Sequence, residues 1–176
     1  MAILDSGERT EFDSGAVRDM KVGKGRIDLM PLDVVANLMK DSIIEDIYKF
    51  QQDNSRLDLL YGVLIKISPV YNVNSMELTA INGHLDTIEV VEDIEKIKRA
   101  RLANMFLDVS KHFEEGALKY GEDNWRKGIP FKSYIDSACR HYLKVLRGDT
   151  DEPHLRAFVW NIMCLIWTVE HKDGLF

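Results

Sequence analysis

The sequence predicts an all-α protein, a helical bundle preceded by an irregular N-terminal arm. Apolar residues recur at three-to-four spacing through several long segments, and no stretch alternates with period two for long. Pro31 and Gly121 also stand where helices begin and end. Residues 1–30 form the arm: polar, with Gly7, Gly15, Gly23 and Gly25, and with a cationic cluster of Arg18, Lys21, Lys24 and Arg26. Residues 31–176 form a single α-helical domain, within which 40–100 reads as an insertion or cap. A helix is expected over 32–52, where Val35, Leu38, Met39, Ile43 and Ile47 share a face. A shorter helix fits 55–66. Asn72, Asn74, Asn82 and Gly83 mark turns in the stretch that follows. A long helix over 92–120 stops at Gly121, a loop runs over 122–130, and another helix covers 131–147. Gly148 to Asp151 turn the chain, with Asp151 expected as N-cap and Pro153 early in the last helix.

The 176 residues are enough for one domain with a real core. The 45% hydrophobic and 30% charged content is that of a globular protein. A net charge of −6 argues against stable nucleic-acid binding, which needs a basic field. It leaves room for a small polyanion held by a few local cations. Cys139 and Cys164 lie far apart in apolar helical patterns and read as buried thiols of a reducing compartment. Acids stand at the N-terminus where a signal peptide needs an apolar run. The apolar run from Ala157 to Val169 is too short to span a bilayer. The expectation is a cytosolic protein with no membrane partner.

On the long helix, Leu102, Phe106, Val109, Phe113 and Ala117 gather on the expected core side. Asp108, His112, Glu115 and Lys119 follow spacings of four, three and four, a stripe beside that side. Such a stripe either projects into a cleft or is a solvated face laced by ion pairs. On the next helix His141 falls at the apolar margin, near Tyr134, while Asp136 and Arg140 read as an exposed i,i+4 pair. The last helix is apolar almost all round, so it is the expected buried element. His154, Asn161 and Thr168, seven apart, make one polar seam down it. Buried Asn161 requires a partner. The seam is either a structural hydrogen-bond network or part of a site.

Asp149, Asp151 and Glu152 concentrate carboxylates in one turn, and hard cations such as Mg²⁺ want oxygen ligands and keep waters for phosphates. Lys119, Arg126 and Lys127 flank Asn124 and Trp125. Cations beside an aromatic suit a nucleotide, although Trp125 also reads as a plain hydrophobic plug. No P-loop, HExxH, GxSxG or CxxC motif occurs.

SGAVRDMKVGKGRIDLMP, EEGALKYGEDNWRKGIP, SACRHYLKVLRGDTDEPH and AFVWN, in that order, resemble the phage and prophage dATP/dGTP diphosphohydrolase N-terminal family. That family is related to the MazG-like all-α nucleoside triphosphate pyrophosphohydrolases. The matching pieces cover about residues 12–36 and 104–170. The resemblance implies a MazG-like helical bundle, a Mg²⁺ or Mn²⁺ requirement, cleavage of a deoxypurine nucleoside triphosphate between the α- and β-phosphates, and a homo-oligomer. It also implies a phage or prophage protein acting in the host cytosol. The ExxE…ExxD carboxylate set of MazG-like enzymes is absent in clean form. Its nearest counterparts are His112–Glu115 and the Asp149/Asp151/Glu152 cluster.

The resulting expectation places the metal on Glu115, Asp149, Asp151 and His154. His141 and Glu115 are the catalytic candidates, with His141 transferring a proton or orienting a ligand. Lys119 and Lys127, with Lys24 and Arg26 of the arm, bind the phosphates. Asn124, Trp125 and Asn161 complete the substrate contacts. Two other readings stay open: a nucleotide-binding regulator without catalysis, and a helical interaction protein whose polar seam is only structural.

Overall fold

In the computed structural model, residues 9–19, 25, 27–71 and 87–175 are described. Six helices dominate: α1 (Leu32–Met39), α2 (Ser42–Gln52), α3 (Leu57–Ile67), α4 (Thr87–Tyr120), α5 (Phe131–Arg147) and α6 (His154–His171). The all-α expectation holds. The arm, expected to be irregular, carries a small antiparallel pair, β1 (Arg9–Glu11) and β2 (Val17–Asp19), in register Arg9 with Asp19 and Glu11 with Val17. Gly15, at φ +73°, makes the reversal between them, where a residue with a Cβ would be strained.

The single helix expected over 32–52 is two. Lys40 adopts a left-handed conformation and closes α1. Asp41 then caps α2, its Oδ1 accepting the backbone N–H groups of Ile43 at 2.9 Å and Ile44 at 3.1 Å. The apolar periodicity runs through this break, and the local cap decides it. Asp41 also accepts the Tyr142 hydroxyl at 2.8 Å, tying α2 to α5. Phe50, Ile47, Leu60 and Val63, from the segment expected as an insertion or cap, are fully buried in the same core as α5 and α6.

α6 is the central element, with Phe158, Val159, Ile162 and Leu165 at 0% exposure, and it packs most extensively on α5. Both cysteines are buried thiols outside any disulfide. The inward face of α4 is rotated from the expected one. Met105, Val109 and His112 are buried, whereas Phe106 is 46% exposed. Gly121 ends α4 as expected, at φ +88°. No helix among the described residues is long and apolar enough to cross a membrane.

Candidate functional site

β2, the end of α4, the loop after it, α5 and α6 enclose a cleft of about 760 Å³. Aromatic and apolar groups, among them Phe113, Trp125, Ile129 and Trp160, line part of it. Arg18, Arg126, Arg140 and Lys144 also line it, as do His141, Glu152, Ser137 and Asn161. Phe113 packs edge-on to Trp125 at 5.5 Å between ring centroids, and Trp125 meets Trp167 at 4.9 Å. Trp125 is therefore both a packed ring and a wall of the cleft.

Three donor atoms converge at the junction of α5 and α6. His141 Nδ1 lies 3.0 Å from His154 Nδ1. Glu152 Oε1 lies 3.3 Å from His154 Nδ1 and 3.6 Å from His141 Nδ1. The turn after Gly148 brings them together: it reverses the chain so that the start of α6 lies against the third turn of α5. His154 Nε2 lies 2.7 Å from Asp151 Oδ1 and donates to it. The hydrogen-bond partners then assign the proton between the two imidazoles to His141 Nδ1, with His154 Nδ1 accepting. Burial, followed by the neighbouring His154 and Arg140, pushes His141 down to about 2, so its ring is neutral at physiological pH. The His154 contact, with help from Lys144, holds the Asp151 carboxyl down at about 2.

His141/Glu152/His154 and Asp149/Asp151/His154 are each groups whose donor atoms lie within 4.8 Å of one another. Asp151 and Asp149 are also engaged otherwise. Asp151 accepts Lys144 Nζ at 3.2 Å, and Asp149 is held by the Arg147 guanidinium.

Glu115, expected to join Asp149, Asp151 and His154, is in neither group. Its Oε1 faces Arg156 Nη1 at 3.3 Å, and Arg156 Nη2 reaches Asp108 at 3.2 Å. The stripe on α4 is thus partly an interhelical ion-pair network along α6. Lys119 is bound to Asp19 at 2.9 Å, alongside the Tyr120 hydroxyl at 2.8 Å. Asn124 is pinned to β2: its Oδ1 accepts the Val17 N–H at 3.0 Å and its Nδ2 donates to the Val17 carbonyl at 2.8 Å. Asn161 Nδ2 donates to the Ala157 carbonyl at 2.7 Å, and its Oδ1 accepts Arg18 Nη2 at 2.8 Å. Thr168 of the same seam donates within its own helix, to Cys164. Lys127 is exposed and does not line the cleft. Lys24 and Arg26 lie outside the described residues.

Asp136 is corrected outright. It is fully buried, accepting the Ile27 backbone N–H at 2.7 Å and Arg140 at 3.0 Å. The turn over 27–29 covers the face of α5 that the helical wheel leaves open. Arg18, Ser137, Arg140 and Lys144 are cleft residues that sequence reasoning did not select. Arg18 stands in the arm's cationic cluster and in the first of the pieces that carry the resemblance, but neither singles it out.

The profile of the dATP/dGTP diphosphohydrolase N-terminal family matches residues 78–175. No curated protein and no solved structure matches the chain. The match spans more than half of the 176 residues and takes in α4, the loop of Trp125, α5, the acidic turn and α6, the segments that build most of the cleft. The chain belongs to the dATP/dGTP diphosphohydrolase N-terminal family.

Proposed function

We propose that the cleft hydrolyses a deoxypurine nucleoside triphosphate, dATP or dGTP, to the monophosphate and pyrophosphate, with a divalent cation at the α5–α6 junction. The observation that carries this reading is the facing triangle of His141 Nδ1, His154 Nδ1 and Glu152 Oε1, with separations of 3.0, 3.3 and 3.6 Å. Ligand bonds of about 2.1 Å at right angles put neighbouring donor atoms about 3.0 Å apart, so the donors fit a single ion. Two imidazoles and one carboxylate favour Mn²⁺ over Mg²⁺, which prefers an all-oxygen set. When bound, the ion lowers the pKa of a water and offsets phosphate charge.

His141, Glu152 and His154 hold the cation, and Asp151 fixes the His154 ring through its Nε2. Lys144 and Arg126 offer positive charge to the phosphates. Trp125, Phe113 and Trp160 form an aromatic wall on which a purine stacks. Glu115, engaged by Arg156, is left out of this assignment.

One observation favours a second reading, nucleotide binding without hydrolysis. Lys144 Nζ lies 3.8 Å from Glu152 Oε1 and 3.2 Å from Asp151, so an ammonium already serves these carboxylates as counter-ion. Mixing the protein with each deoxynucleotide in Mn²⁺, Mg²⁺ or EDTA separates the two. Turnover lost in EDTA supports the hydrolase. Nucleotide binding that is indifferent to EDTA, without product, supports the second reading.

A further inference from the structure

Arg18 of β2 and Arg140 of α5 approach the same hydroxyl. Arg18 Nη2 donates to Ser137 Oγ at 3.2 Å, and Arg140 Nη2 donates to it at 3.1 Å. Two guanidinium groups thus share one neutral acceptor, and all three residues line the cleft. Arg140 has a carboxylate partner in buried Asp136. Arg18 has none among the described residues. Its Nη1 donates to the Ser133 carbonyl at 2.9 Å and its Nη2 also to Asn161 Oδ1 at 2.8 Å, and both acceptors are neutral. Its guanidinium lies 5.4 Å from the Tyr134 ring centroid and 5.9 Å from that of Trp160.

Taking a cation out of water is unfavourable unless an anion or several dipoles compensate. Placing a second cation against the same hydroxyl raises that cost. A structural tie between the β-pair and α5 needs hydrogen bonds only, and a neutral amide would supply them without charge. The Nη2 of each arginine gives its N–H groups to protein acceptors, so a phosphate chain would meet the other guanidinium edges of a net positive patch. Asn161 holds Arg18 from one side and Ser137 orients both forks, so the donors are fixed before any ligand arrives. Ser137 lies one helical turn before His141 on α5, about 6 Å along the axis, which places this patch beside the donor triangle.

We propose that Arg18, Ser137 and Arg140 form the receptor for the phosphate chain of the nucleotide. This rests on the hydrolase reading for the identity of the ligand and assigns the chain's binding to residues outside the lysines expected from sequence. The role of Arg18 and Arg140 is binding, and its signature is affinity for a phosphate chain without any nucleoside.

The test is calorimetric titration of the full chain with tripolyphosphate at constant ionic strength, with sulfate as the control anion. Arg18→Lys and Arg140→Lys keep the charge and lose the fork. Each is expected to weaken tripolyphosphate at least tenfold, while the wild type prefers it over sulfate. Melting temperatures are followed in parallel, so that if one variant fails to fold the other decides. Variants that melt lower but bind tripolyphosphate like the wild type would overturn the proposal and leave Arg18 a structural tie. A wild type that binds tripolyphosphate no better than sulfate would overturn it as well. Turnover separates this proposal from the hydrolase reading. Arg-dependent tripolyphosphate binding without turnover of any deoxynucleotide sinks the hydrolase and keeps the receptor. Turnover with KM unchanged in both variants keeps the hydrolase and sinks the receptor.

Discussion

His141 and His154 face each other through their Nδ1 atoms at 3.0 Å, with Asp151 behind His154 Nε2 at 2.7 Å. Such a contact places one proton between the two rings, and the carboxylate behind His154 decides which ring carries it. For both Nδ1 atoms to hold a divalent ion, that proton would move to His141 Nε2, since a neutral imidazole ligates through its unprotonated nitrogen. Asp151→Asn replaces the carboxylate that fixes the His154 ring with a neutral amide. The expected result is a 10- to 100-fold loss of Mn²⁺ affinity, on the order seen when a partner behind a metal ligand is lost. Mn²⁺ activation curves measure it. An unchanged half-activating concentration would remove Asp151 from this role.

Glu115→Gln separates the carboxylate expected from sequence from the one placed by geometry. Glu115 Oε1 faces Arg156 at 3.3 Å, and its Oε2 is buried without a hydrogen-bond partner among the described residues. The substitution should leave kcat within about threefold and cost about 1 kcal/mol of stability through a weakened α4–α6 pair. Loss of turnover with an unchanged melting curve would return Glu115 to the metal site.

How far the sequence spoke depends on the scale of the question. Gly121, Gly148 and the prolines before α5 and α6 are local signals, and the last three helices lie close to where those signals place them. The break between α1 and α2 was legible in principle as an aspartate capping a new start, but apolar periodicity runs straight across it. Partnerships between elements were not legible. Asp136 looks exposed on a helical wheel, because a wheel cannot show the turn over 27–29 that donates to it. Phe106 and Met105 differ by one position, and only the packing of α4 on α6 selects which faces inward. For the same reason the role of Arg18 was not legible: it reaches α5 and α6 through contacts more than one hundred residues away in sequence.

The loop of Trp125 depends on one amide. Asn124 forms both hydrogen bonds of a strand neighbour with Val17. Asn124→Ala strands a backbone donor and acceptor, each costing about 1–3 kcal/mol when buried. Denaturant unfolding should show a loss of at least about 2 kcal/mol, with the β-pair detaching first in hydrogen exchange. A stability change within the error of the wild type would mean that water replaces the amide at no cost.

His112 gives a pH signature. It is buried against Trp160 and held down at about 4, first by burial and then by Arg156 and Arg18, with Asp108 opposing. Its folded value lies below the unfolded value of about 6.5. Between these the unfolded chain binds more protons, so stability rises with pH across that window and falls as pH drops through it. The contribution amounts to roughly 2 kcal/mol between pH 7 and pH 5. Urea unfolding of wild type and His112→Gln at both values checks it. The variant should lose less stability on acidification by about that amount, and equal losses would contradict the assignment.

In the proposed reaction this cleft cuts one bond of a deoxypurine triphosphate, using the His141, Glu152 and His154 donors. Phosphorus NMR of dATP and dGTP with wild type and Glu152→Gln in Mn²⁺ tests it most directly. Monophosphate and pyrophosphate should appear together without a diphosphate intermediate, in a reaction abolished by EDTA and slowed at least about 100-fold in Glu152→Gln. Release of inorganic phosphate and a diphosphate would contradict the assigned bond. Equal rates in wild type and Glu152→Gln would contradict the assigned site.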